Sequence, residues 1–412
     1  MQRLAIQWTT FGPYHAARLN ALKSVGAEQA LDVKGLQTAS RDKVYGFSAK
    51  ASSDTVVTVF PDSVFDEISP RDMAREVGRV LDEIDPMAVG ITSYSYPDAR
   101  ACLEWCKANR RIAILMTDSK EDAGTRRPWR EWIKRRLVEA FDAALVAGAP
   151  HERYLVKLGF PARAIFEGYN VVDNDHFARG AEAARSDPAA CAHLPGLGSS
   201  IPFFLAAGRM TETKNYAGLL QAYRQYRQAT ENPWRLIIIG DGPLSRQLEA
   251  QVQKGGIEDV TFAGRRSYNE LPAYYGLAGA LVHAAWVDTW GLVVNEAMAC
   301  GLPILCSTGA GCWEDLIRDG ENGYTFAPGE TDRLTRLMVR LSSSKADLAL
   351  MGTTSERIIL DWSVERFADG FLEALMYARS QLFKPPSLAL RAILRLLFWV
   401  ARSPTSFHSI RP

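Results

Sequence analysis

Two acids and two cations hold most of the chemistry this sequence can do. Asp288 and Glu296 stand eight positions apart in WVDTWGLVVNEAMACGLPIL, with a glycine turn at Gly291 between them. A carboxylate is costly to bury without partners, yet Glu296 sits among Val293, Val294, Ala297 and Met298. It needs a dedicated partner, and the hydroxyls of a sugar or ribose suit an ionised, acceptor-only group. The plainer alternative is an acid stabilised by the dipole at a helix N-terminus. Upstream, in IPFFLAAGRMTETKNYAGLLQAYRQY, an apolar strand from Phe203 to Ala207 runs into Gly208 and Arg209. Lys214 follows at the mouth of a helix that Thr211 or Thr213 can cap. An arginine fork, a lysine point charge and a free helix end make a cradle for a diphosphate. Two solvated surface charges are the default reading of such a pair. Here both lie at the carboxyl end of a strand, where open α/β sheets bind ligands.

The elements that must position these groups alternate. WRLIIIGDGPL and VTFAGRRSYNELPAYYGLAGALVHAA each give an apolar strand closed by glycine and then a helix, the pattern of a parallel sheet. Gly240, Gly242 and Gly264 fall where the backbone must turn sharply or approach a ligand. The amino-terminal half opens with the strand MQRLAIQW and a helix expected to turn Ala16, Leu19 and Leu22 inward. Further strands are expected at Val56–Phe60, Ala88–Thr92, Ile112–Met116 and Ala143–Val146. The small, Pro/Gly/Ser-rich stretch up to Ser200 reads as a linker.

Composition narrows the function classes. With 412 residues, 47% hydrophobic and 23% charged, the chain supports two domains with substantial cores. A net charge of +1 gives no global field for nucleic acid. The six cysteines form no CxxC, and Cys102 and Cys106, one helical turn apart, pack a helix rather than hold a metal. The start lacks a charged segment followed by an apolar one, and no apolar run reaches the length of a membrane span, so the cytosol is the expected compartment.

From about residue 202 to 380 the chain closely resembles the nucleotide-sugar-binding half of glycosyltransferase family 4, retaining enzymes of the GT-B fold. The resemblance rests on Gly208-Arg209 with Lys214, GDGPL, Phe262 to Gly264, and Asp288 with Glu296 leading into EAMACGLPIL. GAGCWEDLI, GENGYTF and DWSVERF complete it in the family's order. It implies two Rossmann-like, doubly wound α/β domains facing each other across a cleft. Residues 1–183 would bind the acceptor, 184–200 link, and 201–362 bind the nucleotide sugar. Residues 363–383 would form a helix crossing back, followed by a basic amphipathic tail over 384–412. By resemblance Arg209 and Lys214 hold the donor diphosphate, Glu296 binds the ribose and Asp288 contacts the transferred sugar. The backbone at Gly264 and Arg265 would face the base, and the amides of Gly291, Leu292 and Val293 would approach a phosphate. Gly208 and Gly12, the strand-exit glycines of the two halves, join the donor-contacting set. The implied activity moves a sugar, with retention, from a nucleoside-diphosphate sugar to a hydroxyl of a glycan or lipid-linked saccharide, in polysaccharide or glycolipid biosynthesis. A UDP- or GDP-sugar is then a co-substrate, with no tightly bound cofactor. No DxD-type metal site stands out, and Arg plus Lys can replace Mg²⁺ as countercharge. The alternatives are a phosphorylase or epimerase on the same fold, or a catalytically silent binding subunit. One departure is Asp288, where the family usually has the longer Glu.

The general base is less plain. Many relatives carry a histidine after the strand that here ends at Met116, but this chain has Thr117-Asp118-Ser119. His15, after Gly12-Pro13-Tyr14, either serves as that base or caps the first helix. Asp118 either faces the cleft or caps a turn. His283 either reaches the donor or is a buried, satisfied histidine. His151, His176, His193 and His408 read as surface or linker residues. Two basic segments bear on the acceptor. RRPWREWIKRR, Arg126 to Arg136, either grips a lipid diphosphate or anionic membrane surface, or is a solvated face with its tryptophans inward. In the tail, Arg391, Arg395 and Arg402 fall on one stripe opposite Leu390, Ile393, Leu394, Leu397 and Val400, as in a helix lying in a membrane surface. Peripheral association with the inner face of a membrane is the resulting expectation.

Overall fold

The computed structural model describes residues 1–42, 55–124, 126–343, 345–383, 385, 390 and 392–394, the side chains of 345–347 excepted. It divides into two compact units, Met1–Val171 with the segment from Val364 onward, and Val172–Ser363.

The first unit is built on a parallel sheet of β1 (Gln2–Trp8), β2 (Leu31–Arg41), β3 (Val56–Val64), β4 (Ala88–Thr92), β5 (Ile112–Thr117), β6 (Ala143–Val146) and β7 (Ile165–Glu167). The order is β3-β2-β1-β4-β5-β6-β7. Leu4 of β1 is opposite Val33 of β2 on one side and Ala88 of β4 on the other. Helices α1 (Pro13–Glu28), α2 (Pro70–Ile84), α3 (Pro97–Ala108) and α4 (Pro128–Val138) each open on proline, where its preset φ helps and its missing N–H is not needed. A fifth, α5 (Ala149–Lys157), precedes β7. Cys102 and Cys106 are fully buried under α3. Leu19 and Leu22 of α1 turn inward as expected, but Ala16 is only half-buried and Arg18 takes a fully buried place instead. Its guanidinium is satisfied by the Val171 carbonyl, at 3.0 Å from Nε and 2.8 Å from Nη2.

The second unit begins with α6 (Asn174–Ser186). Its sheet contains β8 (Phe203–Ala207), β9 (Arg235–Ile239), β10 (Val260–Gly264), β11 (Ala280–His283), β12 (Ile304–Ser307) and β13 (Gly323–Phe326), all parallel, in the order β10-β9-β8-β11-β12-β13. Between and after these strands lie α7 (Tyr216–Gln228), α8 (Ser245–Gly255), α9 (Leu271–Leu277), α10 (Leu292–Ala299), α11 (Trp313–Leu316), α12 (Thr331–Ser343) and α13 (Lys345–Ile359). The division at Val171/Val172 precedes the 183/184 boundary read from composition, because α6 buries Phe177, Ala181 and Ala184 within this unit. Gly180 makes room for the Pro272 side chain and Gly276 lies against the Ala181 backbone, so α6 and α9 pack closely. The stretch read as a linker is partly structured, with Leu194 and Leu197 buried and a 3-10 turn at Pro188–Cys191.

The last long helix, α14 (Val364–Ser380), belongs to the first unit, where Phe367, Phe371 and Leu375 are buried. A Cβ at Gly90 of β4 would stand 2.6 Å from the Phe371 ring, so the glycine is what lets α14 lie on the sheet. Most of the 384–412 tail, with His408, lies outside the described residues. Its described apolar positions Leu390, Ile393 and Leu394 are buried in the first unit's core. Among the described residues no helix is long and apolar enough to cross a membrane. In each sheet the chain adds strands in one direction and then reverses, at β1/β4 in the first and at β8/β11 in the second. Such reversals open a crevice beyond the carboxyl ends of the strands.

Candidate active site at the switch point of the second sheet

Arg209 follows β8 after one glycine, and Lys214 ends a 3-10 turn at Glu212–Lys214 just beyond it. Asp288 follows β11, the neighbouring strand. Lys214 Nζ pairs with Asp288 Oδ2 across the reversal. His283, at the end of β11 and 4% exposed, brings Nε2 to 3.0 Å from the same oxygen. Burial alone would raise the Asp288 carboxyl, but the Lys214 charge and the His283 contact overcome it and hold the group well below the usual carboxylate range. Asp288 is therefore an ionised acceptor at neutral pH. The exposed Arg209 guanidinium has no partner among the described residues.

Backbone contacts tie the two loops together. The amides of Trp286 and Val287 donate to the Thr213 carbonyl at 2.8 and 3.2 Å. Asp288 N–H donates to Gly309 and its carbonyl accepts from Gly311, at 3.1 and 3.0 Å. Asn215, not Thr211 or Thr213, caps α7: it is left-handed (φ 53°) and its Oδ1 accepts from Gly218 N–H. Its Nδ2 donates 3.1 Å to the Ala284 carbonyl, so one residue both starts α7 and fastens the lysine turn to β11. The two threonine hydroxyls instead bond each other at 3.0 Å.

Gly291 takes φ 106° and opens α10 with no side-chain cap. The first amides of that helix, at Leu292 and Val293, lack intrahelical acceptors by geometry and suit an anion. A Cβ at Gly291 would lie 3.3 Å from His283 Nε2 and 3.6 Å from Asp288 Oδ2, inside the charged cluster. One turn further along α10, Glu296 is 3% exposed and accepts a 2.5 Å hydrogen bond from Tyr275 Oη of α9. The partner required by its burial thus includes a protein hydroxyl. Gly208, at φ 135°, passes its carbonyl to Tyr216 Oη at 3.0 Å. Gly264, at φ 69°, ends β10 and accepts from Gly240 N–H, with exposed Arg265 next in the chain.

His15 and Gly12 belong to the first unit. Gly12 N–H donates to His15 Nδ1 at 3.0 Å, which closes the N-terminus of α1. The His15 ring lies 5.0 Å from that of Trp8. Burial, and then the Arg18 charge, push its imidazole down to about 3. It is neutral, and an accepting Nδ1 places the proton on Nε2. Asp118 accepts from Asn170 Nδ2 at 3.2 Å. Of the histidines read as surface or linker residues, His151 is fully buried, while half-buried His176, on α6, stacks on Tyr268 with ring centroids 4.1 Å apart. Asn215 and Tyr275 were missed as site residues. Asn215, next to Lys214, is a strong cap residue that could have been noticed, whereas nothing local marks Tyr275.

Residues 196–357 match the family model described as Glycosyl transferases group 1. Over that segment the chain is similar to the family. Barley (Hordeum vulgare) sucrose synthase 2 is 30% identical over 154 residues, 34% of this chain and only 19% of that protein. A GDP-mannose-dependent alpha-(1-6)-phosphatidylinositol monomannoside mannosyltransferase of Mycolicibacterium smegmatis is 26% identical over 267 residues, 62% of this chain and 67% of that one. Anabaena HepE, solved in complex with UDP and glucose, superposes at TM-score 0.68 and 16% identity, covering 91% of this chain and 100% of that one. With its two parallel Rossmann-like sheets, the chain has the GT-B fold.

Proposed function

We propose that the chain is a retaining glycosyltransferase that moves a sugar from a nucleoside-diphosphate sugar to a hydroxyl of a glycan or lipid-linked saccharide. The observation that carries the proposal is the gathering of Arg209, Lys214, Asp288 and the uncapped start of α10 beyond β8 and β11, where the strand order reverses. HepE's UDP and glucose, and the GDP-mannose in the mycobacterial relative's name, support a UDP- or GDP-sugar as donor. That relative's phosphatidylinositol monomannoside supports a lipid-linked acceptor.

The mechanism follows from charge. As the nucleoside diphosphate leaves, negative charge grows on its oxygens while the sugar ring becomes cationic. Arg209, Lys214 and the amides of Leu292 and Val293 stabilise the leaving group. Lys214 has three donor hydrogens, so it can keep Asp288 while taking a phosphate oxygen. Asp288, fixed by Lys214 and His283, accepts from a hydroxyl of the transferred sugar. Glu296, steadied by Tyr275, accepts from the ribose. Retention places the acceptor hydroxyl on the leaving-group face, and a diphosphate oxygen takes its proton. His15, with its proton on Nε2, can donate a hydrogen bond to the acceptor substrate. The setting is biosynthesis of polysaccharide or glycolipid at the inner face of a membrane.

A panel of UDP-, GDP- and ADP-sugars with membrane extract, read by mass spectrometry, tests this. Transfer should release nucleoside diphosphate only when an acceptor is present. Turnover that needs free phosphate would make the protein a phosphorylase. No thermal shift with any nucleotide sugar would make it a silent binding subunit.

A further inference from the structure

We propose that the exposed face of α4 rests on an anionic membrane surface. The sequence left two orientations for this basic helix, and the described structure separates its faces. Ile133 packs on the first unit's core, and Leu137 and Val138 are buried. Glu131 is engaged by neighbouring side chains: Oε1 accepts from Lys134 Nζ at 2.8 Å and Oε2 from Tyr154 Oη at 2.8 Å. Arg126 joins them, with Nη1 2.9 Å from Tyr154 Oη and its guanidinium 4.5 Å above that ring.

The tryptophans are on the other side. Trp129 and Trp132, one turn apart, are 52% and 50% exposed. Arg130 lies 5.2 Å over the Trp129 ring and Arg136 5.8 Å over that of Trp132. Arg127 and Arg135 are exposed beside them, and Glu139 is paired with Arg136 at 3.0 Å. Two large aromatics left in water within one turn mark a contact surface. Protein interfaces deplete charge at their centres, whereas here every aromatic is bracketed by cations. Tryptophan's apolar body and polar N–H suit the headgroup layer, and the arginines suit anionic lipid phosphates. A helix of this length can lie in that layer but cannot cross it.

The other candidate, the basic tail, has less to offer, because Leu390, Ile393 and Leu394 are already in the protein core. Docking through α4 goes beyond the transfer reading and does not depend on it.

The test is co-sedimentation of the full chain with phosphatidylcholine vesicles, with and without phosphatidylglycerol, at low and high salt. No donor or acceptor is present, so the result is separate from any transfer assay. The wild type should pellet only with the anionic vesicles and be released by salt. The Trp129→Ala/Trp132→Ala and Arg127→Gln/Arg135→Gln variants should each lose binding by about tenfold or more. All of these side chains are exposed, so melting temperature and the thermal shift with nucleotide sugars should not change. Variants that pellet like the wild type, or equal pelleting with neutral vesicles, overturn the proposal. Self-association that needs the tryptophans, without vesicle binding, would also overturn it and assign the face to a second copy of the chain.

Discussion

Lys214 and Asp288, carried on loops after adjacent strands, form an ion pair across the strand reversal of the second sheet. The pair makes the lysine's charge partly spent before any donor arrives. Asp288→Asn should therefore leave nucleoside diphosphate binding as tight or tighter, because the diphosphate no longer competes with an internal anion. Transfer should still fall, by about a hundredfold, because the acceptor for the sugar hydroxyl is lost. Calorimetry with UDP and GDP beside turnover measures both; equal losses in the two would refute the assigned division of labour.

Arg209→Ala and Lys214→Ala should each cost about 2–4 kcal/mol of transition-state stabilisation, like a lost oxyanion donor. Melting temperature should hardly move for Arg209→Ala, whose side chain is exposed. Single-turnover rates would show the effect directly.

Tyr275→Phe removes the 2.5 Å hydrogen bond to buried Glu296 while keeping the ring. A buried acceptor that loses a partner costs about 1–3 kcal/mol. Stability should fall by that amount in urea titration, and the KM for donor should rise more than kcat falls. An unchanged KM would argue against a ribose role for Glu296.

Gly240 tests the backbone of the cradle. At φ 122°, its added Cβ would sit 2.0 Å from the Gly208 carbonyl oxygen. Gly240→Ala should destabilise by about 3 kcal/mol or more, through both strain and the clash. Normal thermal stability of this variant would mean the β8 and β9 exits are more pliable than described.

His15 gives a pH signature. Its folded pKa, near 3, lies below the unfolded value of 6.5, so the unfolded chain binds the extra proton. The stability linked to it is complete above the unfolded value and is lost as pH falls from there toward about 3. His15→Gln can keep the bond from Gly12 without titrating, so its urea midpoint should change less between pH 7 and 5 than the wild type's. Parallel curves would indicate that the ring is solvated.

Much of this protein is local and therefore legible. Phe203–Ala207 is five buried apolar residues in a row closed by glycine, the pattern of a strand covered on both faces. The reversal-point loops could be read because glycine, cations and acids follow such strands at short range. β2 escaped notice because its centre is polar: Gln37 and Thr38 are buried, and Thr38 Oγ1 donates 2.8 Å to Asp98. That carboxylate also accepts from Gln7 and Thr9, at 2.8 and 3.0 Å. No window of sequence shows a polar pair being satisfied by an acid from another helix.

The same limit governs the site. By itself the sequence determined the strands with unbroken apolar runs, many of the turns and the charges that stand at them, because hydrophobic runs and glycine act over a few residues. Tertiary structure alone decided who answers those charges. Asp288 is met by Lys214, Glu296 by Tyr275, and the α4 carboxylate Glu131 by Tyr154. Each charge must find its partner wherever packing excludes water, and packing joins residues that the chain keeps far apart.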